Sequence, residues 1–154
     1  MAIDAGAAIW TYGTQDKLSD ASTSSVANGV FSVAADVDSA WANDDEAVSG
    51  SYVLEATFAS APTVGTAVSL YARLMNIEGV NDMPVIDANF SGLYIGAFLL
   101  DAVTSVQYMA LPDAPIPSVG PSQVIEYYIK NGGGQTLSAG WDLWVTPKAF
   151  IPHA

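Results

Sequence analysis

From about position 50 onward, apolar and polar residues alternate along the chain. Over residues 51–58, Tyr52, Leu54, Ala56 and Phe58 fall on one face, and Ser51, Glu55 and Thr57 fall on the other, with Val53 the exception. A period of two predicts a half-buried strand. Residues 67–75 repeat the pattern, with Val68, Leu70, Ala72 and Leu74 opposite Ser69, Tyr71 and Arg73. Residues 91–99 are apolar on both faces, as in a central strand. Residues 103–111 alternate through Val106, Tyr108 and Ala110. Residues 123–130 place Ile125, Tyr127 and Ile129 on one side, and Val124, Glu126, Tyr128 and Lys130 on the other. Residues 140–146 close the series, with Trp141, Leu143 and Val145 facing inward.

Turn chemistry separates these segments. Residues 61–65 contain Pro62 and Gly65, and residues 131–135 read Asn-Gly-Gly-Gly-Gln. Residues 111–121 hold Pro112, Pro115, Pro117 and Pro121, which excludes a helix and permits at most an edge strand or a long loop. No stretch between 50 and 147 sustains a 3.6-residue apolar period. The expected fold is all-β: a single jelly-roll-like β-sandwich of about eight antiparallel strands. Residues 1–29 differ. Ser, Thr, Ala, Asp and Asn dominate 13–29, behind an apolar island of Ile9, Trp10, Thr11 and Tyr12. We expect an irregular N-terminal arm over 1–29, docked through Trp10 and Tyr12, and a sandwich over 30–154. Ordering such an arm costs roughly 1–2 kcal/mol per residue in backbone entropy, so it needs a surface to lie on.

Charge narrows the partners. Sixteen acidic residues oppose four basic ones, Lys17, Arg73, Lys130 and Lys148, for a net charge of -12. Nucleic-acid binding relies on clustered cations that neutralise phosphates, and these four are scattered. Anionic membranes are disfavoured on the same ground. The acidity suits solubility, or a partner with a basic face. With 51% hydrophobic and 13% charged residues, the composition is that of a folded chain. The longest apolar run, 93–100, falls far short of the ~20 residues a spanning helix needs. The start lacks a basic n-region and carries Asp4, so a secretory signal is not expected.

Candidate chemistry is sparse. The chain has no cysteine. His153 is the single histidine and sits next to the last residue, where a held imidazole is not expected. Serine–histidine and histidine-metal chemistry lose their basis with it. Glu55 and Glu126 are mid-strand and could meet as a glycosidase pair, but solvent-facing positions are the expectation. Asp36, Asp38, Asp44, Asp45 and Glu46 form one acidic loop; Asn76, Glu78, Asn81, Asp82, Asp87 and Asn89 form a second oxygen-rich stretch. Neither has the EF-hand spacing, and the second is the better calcium candidate. The glycines at 132–134 lack a following Lys-Ser/Thr and helix, so they read as a hairpin connection and not a phosphate loop. Trp10, Trp41, Trp141 and Trp144 remain as large rings for core, sugar or protein contacts. We assign no catalytic residue, metal or cofactor.

The series Leu70-Tyr71-Ala72-Arg73, Asn76 to Pro84, Gly96 to Leu100, Tyr128 to Asn131, Gly134 to Trp141 and Val145 to Lys148 resembles small structural proteins encoded near the capsid genes of tailed bacteriophages. These are similar to head-decoration, or cement, proteins. The resemblance covers about residues 50–150 and is a run of strand-and-turn patterns. It implies a jelly-roll-like fold and a homo-oligomer, trimer or dimer. It also implies the major capsid protein as partner and a place on the capsid exterior of the virion, after assembly in the host cytoplasm. No nucleic-acid or membrane partner is expected. The contacts we expect on this reading involve Ile9, Trp10, Tyr12, Pro112, Pro115, Pro117 and Trp144. The alternatives are a carbohydrate-binding or receptor-facing virion module, and a tail or tube protein.

Overall fold

The alternating segments become two facing antiparallel sheets. The computed structural model describes residues 8–19, 22–33, 41–44, 46–75, 77, 81–118, 120 and 123–152. Nine strands run in chain order: β1 (Ala8–Tyr12), β2 (Asp16–Ser19), β3 (Trp41–Ala42), β4 (Ser49–Ala56), β5 (Ala67–Met75), β6 (Leu93–Leu99), β7 (Gln107–Pro115), β8 (Val124–Asn131) and β9 (Asp142–Pro152). One sheet has the order β1-β9-β4-β7, with β2 also paired to β9; the other has the order β3-β8-β5-β6. We call them the β9 sheet and the β8 sheet. There is no helix among the described residues.

The strand orders give the topology. β1 and β2 lie end to end along the same edge of β9, so they act as one interrupted strand. The strands then pair as nested hairpins: β1 and β2 with β9, β3 with β8, β4 with β7, and β5 with β6. Successive pairs alternate between the sheets, which is a jelly roll.

The core lies between the sheets and uses the alternation read from sequence. Tyr52, Leu54, Ala56 and Phe58 are buried, as are Val68, Leu70, Ala72 and Leu74, then Ile125, Tyr127 and Ile129, then Trp141, Leu143 and Val145. Period two turns every second residue to one face, so each strand buries its apolar set against the opposite sheet. One polar contact spans the core: the hydroxyls of Tyr52 on β4 and Tyr127 on β8 lie 3.0 Å apart. The Tyr52 hydroxyl also reaches the Pro115 carbonyl at 3.3 Å. Burial raises both phenols above their ordinary value, so the neutral, hydrogen-bonded forms are held.

Three regions depart from the sequence reading. Residues 91–99, read as a central strand because both faces are apolar, hold β6, which is the edge strand of the β8 sheet beyond β5. Where an irregular arm was expected, residues 8–12 and 16–19 are strands on β9, and Leu18 is in the core. β9 itself runs past Thr146 through Pro147 to Pro152. A proline inside a paired strand needs a place where its missing N–H is not called on. Gly13 N–H donates to Pro147 O at 2.9 Å. The nitrogen of Pro147 points to that same side, where the edge breaks between β1 and β2. The proline-rich segment resolves as the edge strand β7, with Pro112 and Pro115 inside it.

Candidate functional site

The outer face of the β9 sheet gathers several of the residues singled out above. Its outward positions are Ser49, Ser51, Val53 and Glu55 on β4 and Asp142, Trp144, Thr146 and Lys148 on β9, none of them buried. Lys148 is the hub. Tyr12 of β1 and Ser49 of β4 lie beside it in register. Its Nζ sits 5.0 Å from the centroid of the Trp10 ring and 5.6 Å from that of Tyr12. The same Nζ donates to Asp113 Oδ1 of β7 at 2.8 Å. Asp113 stands at φ 51°, a left-handed conformation that aspartate tolerates better than most residues, inside a strand that Pro112 and Pro115 flank. The hydrogen bond to Asp113 raises the Lys148 pKa; burial opposes it, and the Asp113 charge and Tyr12 add to the rise.

A second lysine-on-aromatic contact lies on the same face. Lys17 Nζ is 5.5 Å from the Trp144 ring centroid and 3.9 Å from Asp142 Oδ2. Farther along, the Tyr108 hydroxyl donates to Glu55 Oε1 at 3.2 Å, and the Glu55 charge raises the Tyr108 pKa. Trp10, Tyr12 and Tyr108 are 50%, 66% and 70% exposed. The face thus carries exposed rings, two of them beside a cation, and aromatic residues of this kind dominate contact energies at interfaces.

The residues expected from sequence divide as follows. Trp10 and Tyr12 meet at Lys148, and β7 joins them through Asp113. Trp144 is half-buried on the same face under Lys17. Ile9 is paired in β1 opposite Ile151. Pro112 and Pro115 are exposed on the edge strand, and Pro117 is half-buried beyond its end. Lys148 and Asp113 were missed. The scarcity of cations was the available signal for Lys148; the φ of Asp113 has no signature in sequence.

The outer face of the β8 sheet is built otherwise. The loop after β5 folds back over it. Arg73 Nε donates to Met83 O, and Arg73 Nη1 pairs with Glu126 Oε2 at 2.8 Å. The Tyr128 hydroxyl donates to the same Glu126 oxygen at 3.0 Å. Tyr128, expected on the solvent side, is fully buried. Burial and then Glu126 push its pKa up to about 12. Burial works against the Arg73 charge, but its hydrogen bond and charge contact with Glu126 outweigh that and raise its pKa. Beyond this network, Phe31, Tyr71 and Tyr94 stack edge to face across the sheet, at 5.1 and 5.5 Å between centroids. A cleft of about 580 Å³ opens between residues 29–33 and 86–91, with Lys130 lying over the Phe31 ring at its side.

Glu55 and Glu126 lie on opposite sheets and both face outward, so they do not form a carboxylate pair. In the second oxygen-rich stretch, the Asp87 carboxylate accepts from the N–H groups of Asn89 and Phe90 at 2.7 and 3.0 Å, which lowers its pKa. Asp36, Asp38, Asp45, Asn76, Glu78, Pro121 and His153 lie outside the described residues. Among the described residues, no group of three or more acidic or histidine side chains is placed to hold a metal ion. Comparison with protein-family models, with curated proteins and with solved structures found no match.

Proposed function

We propose that this chain is a non-enzymatic virion structural protein of a tailed phage. On this reading it is a capsid decoration protein that binds the outer face of the assembled head through the outer face of its β9 sheet. The observation that carries the reading is the Lys148 cluster. It draws Trp10 and Tyr12 from one end of the chain, and Asp113 from the proline-bearing edge strand, onto one exposed surface. The rings are already ordered by strand pairing and cation contacts, and proline stiffens β7, so docking costs less side-chain and backbone entropy. A protein that binds the assembled shell and not the free subunit stabilises the shell by linkage. The net charge of -12 keeps such a protein off packaged nucleic acid and suits a basic patch on the shell.

The test is co-sedimentation with assembled heads and, separately, with unassembled capsid subunits. The protein is expected to travel with heads only. Trp10→Ala with Tyr12→Ala is expected to stay folded and to lose that association. Point variants serve better than truncation, because β1 and β2 are strands of the sheet. Unchanged co-sedimentation of the double variant would count against this face.

A carbohydrate-binding module is the second reading. The cleft beside Phe31 and Lys130 and the Phe31–Tyr71–Tyr94 ring row favour it. Glycan binding lost on Phe31→Ala, with head association retained, would select it.

A further inference from the structure

Three of the chain's four cations pair with carboxylates: Lys17 with Asp142, Arg73 with Glu126 and Lys148 with Asp113. Lys130 is the exception. Among the described residues it forms no ion pair, although the chain carries sixteen acidic residues. It faces outward on β8, in register with Ser69 of β5. Its Nζ lies 5.0 Å from the centroid of the Phe31 ring. A ring face attracts a cation but offers no lone pair to its three N–H donors.

Lys130 also lines the cleft of about 580 Å³ between residues 29–33 and 86–91. Sites for small molecules run to about 300–1,000 Å³ and combine apolar walls with a few convergent polar groups. Phe31, Val33 and Ile86 supply the apolar part here, and Asp87 and Asn89 the polar part. The Asp87 carboxylate accepts from the N–H groups of Asn89 and Phe90 and from the Asn89 amide. Its own turn thus holds it as an ionised acceptor. The cleft therefore presents one cation without a counter-ion and one fixed carboxylate.

Resting on the carbohydrate reading of this cleft, we propose that its ligand is a carboxylate-bearing sugar. The sugar's carboxylate accepts from the Lys130 ammonium, its ring C–H groups lie against the apolar side, and its hydroxyls donate to Asp87. The charge of the ligand follows from Lys130. A hydrogen bond between ammonium and carboxylate is roughly twice as strong as a neutral one. A phosphate group would call for several cations or converging backbone N–H groups, and this cleft has one cation beside a fixed carboxylate. The hydroxylated part follows from Asp87, which accepts from hydroxyls and turns away a second acid. The net charge of -12 does not bar an anion. At physiological ionic strength, charges farther off than about 8 Å are largely screened.

The full chain is titrated with sodium glucuronate and galacturonate, with glucose and galactose, with glucuronamide, and with inorganic phosphate. Binding is read from amide shifts in heteronuclear NMR spectra. At least one of the two sugar acids is expected to shift the amides of residues 29–33, 86–91 and 130. It is expected to bind about tenfold or more tightly than its neutral counterpart, as for one charge-assisted contact. Lys130→Gln is expected to reduce that binding to the level of the neutral sugar while retaining the circular dichroism of the folded chain. Lys130→Arg is expected to keep it. Glucuronamide has the ring without the charge, so it tests the same point on the unaltered protein. Neutral sugars that bind as well as the acids overturn the acid preference and leave the carbohydrate reading standing. No shift with any sugar overturns both. Phosphate binding more tightly than either acid at these residues overturns the sugar as ligand, and acid binding unchanged in Lys130→Gln overturns the role of Lys130.

Discussion

The two sheets bury the same kind of alternating face inward and treat their outward faces in opposite ways. On the β8 sheet, Arg73, Glu126 and Tyr128 bond to one another and to the Met83 carbonyl, and Tyr128 is closed off from water. On the β9 sheet, Trp10, Tyr12 and Tyr108 are 50–70% exposed, with Lys148 beside the first two and Glu55 bonded to the third. Strand period tells which face is inside. It does not tell whether the other face is roofed by a loop or left free for a partner. In this chain that second property separates the bonded Arg73–Glu126–Tyr128 network of one face from the exposed rings of the other.

The sharpest way to break the contrast is to remove one ring from each face. Tyr128→Ala empties a fully buried site and is expected to cost about 3–5 kcal/mol in urea unfolding, as for other large buried rings. Tyr108→Ala, on the open face, is expected to change stability by less than about 0.5 kcal/mol. Equal losses at the two positions would erase the distinction. Next in size is Arg73→Ala, which leaves Glu126 and the Met83 carbonyl without their partner. A charge-assisted pair of this kind contributes about 1.5–3 kcal/mol. The loop over the β8 sheet should also become easier to cut in limited proteolysis.

Alkaline titration sharpens the contrast further. Tyr52 and Tyr127 have raised pKa values, and Tyr128 is pushed up to about 12, so the fold holds neutral phenols. The stability they supply is complete below the ordinary value of 10.0 and is lost as pH rises from there toward about 12. The urea midpoint is therefore expected to fall over that window, with less loss in Tyr128→Phe. The smallest stability effect is expected at the open face. Lys148→Met is expected to change stability by about 0–1 kcal/mol, as for exposed ion pairs. The same change should weaken association with heads, because it releases Trp10 and Tyr12.

Much of the fold was legible in the sequence. Residues 67–75 were read with the bounds of β5, and the inward residues of β4, β8 and β9 followed from period two alone. β1 and β2 were not legible, because short edge strands take their order from β9 and show no alternation of their own. The extension of β9 past Pro147 was hidden for a related reason: its proline is tolerated only because the opposite edge breaks there. The site was half legible. Trp10, Tyr12 and the prolines stood out by residue type. The partners that bring them together, Lys148 and Asp113, are distant in sequence and meet across β4. Burial of Tyr128 was misread because period two places it on the outward face, where the Arg73–Glu126 pair engages its hydroxyl.

The proposed decoration role requires the open face of the β9 sheet to meet the shell. Cryo-electron microscopy of intact particles tests it most directly, with this jelly roll fitted into the map. The prediction is density on the outside of the head, with Trp10, Tyr12 and Lys148 turned toward the capsid surface. Density at the tail, or a head-bound molecule whose β9 sheet points to solvent, would contradict it.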